Sequence, residues 1–104
     1  MISKERLDEL RSEVGDDDFE EIIALFIADS DSLLARLRDT SEPAEAEDLL
    51  HTLKGSALNL GFDEVARLCR EGQGGAAGSP SWAAKFCHLL DVYERSKARL
   101  AAIT

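Results

Sequence analysis

The sequence predicts an all-α fold, an antiparallel four-helix bundle with a short additional helix at the N-terminus. Three observations predict it. Apolar residues recur three or four positions apart along four long segments, the period of a helix face turned towards a core. Apart from Gly55, every glycine and both prolines fall at the junctions between segments. No stretch alternates apolar and polar residues as a half-buried strand would, and there is no internal repeat. Four amphipathic helices with short connections pack most simply as an antiparallel bundle, the short first helix covering one end.

The first helix is read over residues 3–13, with Ser3 as N-cap and Leu7 and Leu10 on one face. Val14-Gly15-Asp16 breaks it, and Asp17 or Asp18 caps the second helix, Asp17 with Glu20 resembling a capping box. That helix runs to about Arg38, and Phe19, Ile22, Ile23, Phe26, Leu33, Leu34 and Leu37 form its apolar stripe. Leu25 and Ile27 fall off the stripe and either pack on its flank or belong to an exposed docking patch. Thr40-Ser41-Glu42-Pro43 turns the chain, proline being tolerated in a first helical turn. The third helix, about 43–60, turns Leu49, Leu53, Ala57 and Leu60 inward with Ala46 and Leu50 on the flank, and Gly61 ends it. Phe62 to about Gln73 makes a fourth helix with Phe62, Val65, Leu68 and Cys69 inward. Residues 72–80 read as a flexible, glycine-rich linker whose Ser79-Pro80 restarts a helix. The last helix, about 80–102, places Trp82, Phe86, Leu89, Leu90, Tyr93 and Leu100 inward.

A chain of 104 residues, 44% of them hydrophobic, is enough for one globular domain, 1–104, with one modest core. No apolar run approaches the ~20 residues that span a bilayer, and Met-Ile-Ser-Lys-Glu-Arg-Leu lacks the apolar centre of a signal peptide. A cytoplasmic protein is expected, with Cys69 and Cys87 as reduced, buried thiols. Two cysteines without a nearby ligand cluster do not make a metal site, and joining them to His51 and His88 would require His51 to leave the surface. The net charge of −9 disfavours nucleic acid and anionic membranes as partners. The charge is uneven: residues 1–50 hold 5 basic and 16 acidic side chains, net −11, while residues 51–104 hold 7 and 5, net +2. Most of these charges make a solvated helix surface, and some help to select the partner that docks.

The third helix carries the stretch His51-Thr52-Leu53-Lys54-Gly55-Ser56-Ala57-Leu58-Asn59-Leu60-Gly61. At about 3.6 residues per turn, His51 points away from the apolar stripe, and Glu47, Lys54, Gly55 and Leu58 share its face. A glycine inside a helix costs roughly 1 kcal/mol relative to alanine and needs a compensating reason. Space is that reason: without a side chain at Gly55, a bulky group can approach and stay on the imidazole. Lys54 supplies a mobile positive charge for an anion carried there, and a neutral imidazole is a good nucleophile near neutral pH. Leu58, apolar on the histidine's own face, makes with the bare backbone a patch of the kind that marks protein docking. His88, beside Cys87 and Leu89 without this pattern, reads as an ordinary surface or partly buried side chain.

His-x-Leu-Lys-Gly-Ser-Ala followed by Asn-Leu-Gly resembles the signature of histidine-containing phosphotransfer (HPt) domains of bacterial phosphorelays. The match covers about eleven contiguous residues, and the helix order extends it over nearly the whole chain. The resemblance implies a four-helix bundle with His51 as phosphoacceptor, exposed near the middle of one helix. It implies transfer from a receiver-domain phosphoaspartate to His51 and onward to a response-regulator receiver, with a hybrid histidine kinase upstream. It implies no cofactor of the chain's own, the Mg²⁺ being expected from the receiver. By the same resemblance Ser56 lies near the phosphoryl site, although on its helix it can simply bond the carbonyl of Thr52. Gln73, late in the following helix, fixes the ring through Nδ1 if that helix packs beside the third; Gly72 and Gly74 argue that the helix end frays instead.

Two other readings stay open. The phosphoacceptor module of a chemotaxis-type histidine kinase resembles this fold and motif, and there a kinase domain would phosphorylate His51 from ATP; the end of the chain at Thr104 without kinase sequence favours a free-standing carrier. A non-catalytic helical adaptor would make His51 incidental. The carrier turns nothing over by itself, and a bundle with one exposed docking face fits a monomer.

Overall fold

Ser3 begins the first helix as its side chain predicts, its Oγ accepting the Arg6 N–H at 3.1 Å. The computed structural model describes residues 2–73 and 79–103. Within them it forms α1 (Lys4–Val14), α2 (Asp16–Asp39), α3 (Pro43–Asn59), α4 (Asp63–Gln73) and α5 (Trp82–Ile103).

The junction between α1 and α2 is tighter than the sequence suggests. Gly15 alone makes it, at φ 85° and ψ 155°. Its N–H donates to Arg11 O at 2.9 Å and its carbonyl accepts from Phe19 at 3.1 Å. Left-handed φ at a residue without a side chain reverses the chain in one step. The helix therefore starts at Asp16, and neither Asp17 nor Asp18 caps it; no side chain does. Asp16, Asp17 and Asp18 instead fill the first turn, where carboxylates oppose the positive end of the helix dipole.

The end of α3 follows from one glycine. Gly61, at φ 73°, donates its N–H to Leu58 O at 3.2 Å, and Phe62 donates to Ala57 O at 2.8 Å. These are the paired bonds of a Schellman ending. Gly61 O also accepts from Ser3 N–H at 2.7 Å, so the entry to α1 lies against the α3–α4 corner. A Cβ on Gly61 would sit 2.6 Å from Ser3 O. Gly61→Ala is therefore expected to lower stability by more than about 2 kcal/mol, from left-handed strain and backbone collision together. For a domain of this size that lowers Tm by on the order of 10 °C in calorimetry. An unchanged Tm would show that the corner does not depend on this approach.

Helix α3 packs between α2 and α4, and α5 closes the ring against α4 and α2. Helix α1 lies over α2 and α3, and Phe19 and Ile103 line a groove with its residues Leu7 and Arg11. The centre is apolar: Leu37, Leu50, Leu53, Leu60, Phe62, Val65, Leu89 and Tyr93 are all nearly or fully buried. Phe62 and Tyr93 meet edge to face with centroids 6.2 Å apart. The Tyr93 hydroxyl donates to Asp31 Oδ1 at 2.6 Å, tying α5 to α2, and Lys97 Nζ reaches the same oxygen at 3.2 Å. Burial and the facing carboxylate push the Tyr93 phenol far above its ordinary range.

Three expectations change. Cys87 is exposed, not buried, because it falls on the outer face of α5; Cys69 is fully buried, and both are free thiols. Leu25 protrudes from α2 at 56% exposure while Ile27 is half-buried, so only the second packs on the flank. Gly72 and Gln73, which fall both in the helix read to about Gln73 and in the linker read over 72–80, belong to α4; of the rest of that stretch, 74–78 lies outside the described residues. Gly72 is buried, and a Cβ there would come within 2.7 Å of Leu50 Cδ1. A bare backbone at this crossing lets the last turn of α4 lie close against α3, which brings Gln73 to the surface that carries His51.

Among the described residues no helix is long and apolar enough to cross a membrane.

Candidate functional site

Core packing fixes the rotation of α3. Leu49, Leu50, Leu53 and Ala57 are buried, and the opposite face then presents His51, Gly55 and Leu58 to solvent. Across from it, Gln73 Nε2 lies 3.2 Å from His51 Nδ1. The other amide atom, Gln73 Oε1, is buried without a hydrogen-bond partner. The imidazole is thus open at one nitrogen and occupied at the other. The frayed helix end that Gly72 allows in the sequence is absent through Gln73, because Gly72 is packed against Leu50.

Lys54 is half-buried and, among the described residues, in no ion pair with Glu47 or Asp48. Its charge is felt on the α4 side: burial pushes the Cys69 thiol up to about 12, and Lys54 pulls against that shift. Gly55 is exposed, and a Cβ built on it would meet nothing within 4 Å. Among the described residues, then, no packing contact requires a glycine there. Ser56 is half-buried, and its hydroxyl does not make the expected bond to Thr52; Thr52 makes the equivalent one, donating to Asp48 O at 3.1 Å. Glu47 and Leu58 are exposed, Leu58 at 46%. His88 is also exposed but lies between α4 and α5, away from this group, beside Trp82 and Lys85.

Two side chains without a role in the sequence reading support the same turn of helix. Asn59 donates from Nδ2 to Gly55 O at 3.0 Å, and its Oδ1 accepts from Arg6 Nη2 at 3.0 Å. Asn59 at i+4 from Gly55 was a legible signal for the first bond; the second joins residues 53 apart and no local pattern reports it.

The family model described as the Hpt domain matches residues 3–99. The chain belongs to the Hpt domain family. Comparison with the curated proteins and with the solved structures returns no match. Histidine phosphotransfer within phosphorelays, and interaction with receiver domains and kinases, come with an Hpt domain. Among the described residues of this Hpt domain no cluster of His, Cys, Asp or Glu could hold a metal ion. Among the described residues this surface brings together one exposed imidazole, one amide at its Nδ1, one ammonium in no ion pair and a stretch of helix without a side chain.

Proposed function

We propose that this Hpt domain carries the phosphoryl group on His51, taking it from a receiver-domain phosphoaspartate and passing it to the aspartate of a response-regulator receiver. The observation that carries this reading is His51 held at Nδ1 by Gln73 on an exposed helix face beside Gly55. A half-turn of the Gln73 amide exchanges its two ends and sets Oε1, now without a donor, against Nδ1. Nδ1–H then donates to Oε1, and the ring is left with its lone pair on Nε2. That lone pair attacks phosphorus in line, the bond from phosphorus to the aspartyl oxygen breaks, and the carboxylate leaves. Transfer to the second receiver is the reverse step on a new carboxylate. The transition state is loose, so positioning and charge stabilisation dominate its energetics. Lys54 supplies positive charge to the phosphoryl oxygens, Ser56 stands one residue beyond Gly55 as a weaker polar neighbour, and the receiver supplies Mg²⁺. Leu58 and Glu47, with Leu25 on α2, form the surface on which the receiver docks; the domain works as a monomer in the cytoplasm.

Mixing the protein with a ³²P-labelled receiver and following acid-labile label tests the proposal. Label should pass to this chain and then to a second receiver. A chain labelled by a purified kinase domain with ATP but by no receiver would favour the chemotaxis-type module, and a chain never labelled would favour the adaptor.

Two variants probe the supporting residues. Gln73→Leu should slow acceptance roughly five- to tenfold, the worth of one orienting hydrogen bond, and should mix the two His51 tautomers in ¹⁵N NMR. An unchanged tautomer ratio would remove Gln73 from the site. Lys54→Ala should slow transfer or shorten the phosphohistidine lifetime while receiver binding persists. If neither quantity moves, Lys54 has no part in the chemistry.

A further inference from the structure

The contact between His51 and Gln73 fixes the register of α3 against α4. The chain turns back at Gly61, so a step forward from His51 on α3 matches a step backward from Gln73 on α4. Three steps reach Lys54 on the one helix and Arg70 on the other, and the two stand at one level. Residues three apart share a helix face, so Arg70 lies on the side of α4 that Gln73 turns towards α3. Cys69, next to Arg70 in the chain, feels the Lys54 charge, as that level requires.

Arg70 is exposed and, like Lys54, in no ion pair among the described residues. Glu64 and Glu71 both hold Arg67, and Glu71 lines the opposite flank of α4, where it faces α5. Glu47 is one turn before His51 and Asp63 two turns before Arg70, so neither stands at the level of the two cations. A phosphoryl group on a side chain carries close to two negative charges at neutral pH. Lys54 offsets one of them. A guanidinium offsets the other with a planar fork of N–H donors that matches phosphate oxygens.

We propose that Arg70 binds the phosphoryl group carried on His51, as a second cation across from Lys54. The inference rests on the phosphotransfer reading and adds to it a residue from the neighbouring helix.

Phosphoramidate tests it without a partner protein: the His51 ring nitrogen attacks phosphorus, the P–N bond breaks and ammonia leaves. The phosphorylated full chain is then titrated by ³¹P NMR. Arg70→Gln should raise the second ionisation of the phosphoryl group by about 0.5 pH unit, because the doubly charged form loses a cation at an exposed site. Acceptance from phosphoramidate should slow roughly three- to fivefold. Arg70→Lys should restore the ionisation. Arg99→Gln removes the same charge from α5, which among the described residues does not pack on α3, and should shift the ionisation by less than about 0.1 pH unit. Both arginines are exposed, so no core contact changes in these variants. A phosphorylated His51 with equal ionisation and rate in wild type and Arg70→Gln would overturn this inference alone. So would an equal shift in Arg99→Gln, which would make the effect one of net charge. No phosphate on His51, from phosphoramidate or from a receiver, would overturn the carrier reading and the part of Arg70 with it.

Discussion

His51→Gln should abolish labelling while leaving the bundle folded. The ring is exposed and sits on α3 outside the apolar stripe, so no core contact is lost. Glutamine is a slightly better helix former than histidine, and the hydrogen bond removed is that with Gln73. Tm should stay within about 2 °C of wild type, as for a surface change worth less than about 0.5 kcal/mol. Without the ring nitrogen no bond to phosphorus forms, so acid-labile phosphate should fall to background. His88→Gln is the matched control and should label normally, since His88 is exposed on a different face of the bundle. Full labelling of a folded His51→Gln protein would overturn the assignment of the phosphoacceptor.

Gly55 should separate stability from activity. An added Cβ there meets nothing within 4 Å, so Gly55→Ala costs no packing and gains helix propensity. Stability should rise by about 0.5–1 kcal/mol, read as a higher denaturant midpoint at constant slope. Gly55→Gln should also fold, but its side chain would cover the approach to the imidazole and hold the incoming aspartyl phosphate out of line. Misplacement of reacting atoms by about 1 Å costs on the order of 100-fold, and a loss of at least that size is expected in the rate of phosphoryl acceptance. Gly55→Ala should lie between. A folded Gly55→Gln that accepts phosphate at the normal rate would show that glycine is there for another reason.

These two variants rest on residues that a reader can find without coordinates, and the reason is geometric. The stripe of Leu49, Leu53 and Ala57 sets which face of α3 is buried, and the orientation of His51 and Gly55 follows from local periodicity alone. Gly61 announces a left-handed helix ending by its identity. What local pattern misreads is what the rest of the chain decides. Gly72 looks like the start of a linker until Leu50, 22 residues earlier, is seen to need the space a Cβ would take. Asp17 looks like a cap until Gly15 turns the chain by itself. Cys87 looks like a small buried apolar residue, and only the packing of α5 against α4 and α2 turns it outward. The link from Arg6 to Asn59 is invisible for the same reason, since it depends on how α1 lies across the corner of the bundle.

That last link gives α1 a second task besides shielding apolar surface. The Arg6 guanidinium grips Asn59, and the Asn59 side chain holds the Gly55 carbonyl one turn back along α3. The one turn of α3 stripped of a side chain is splinted by a residue near the N-terminus. Whatever loosens the N-terminal segment, whether a protease nick or a tug from a fused neighbour, would be felt at the peptide one turn from the His51 ring.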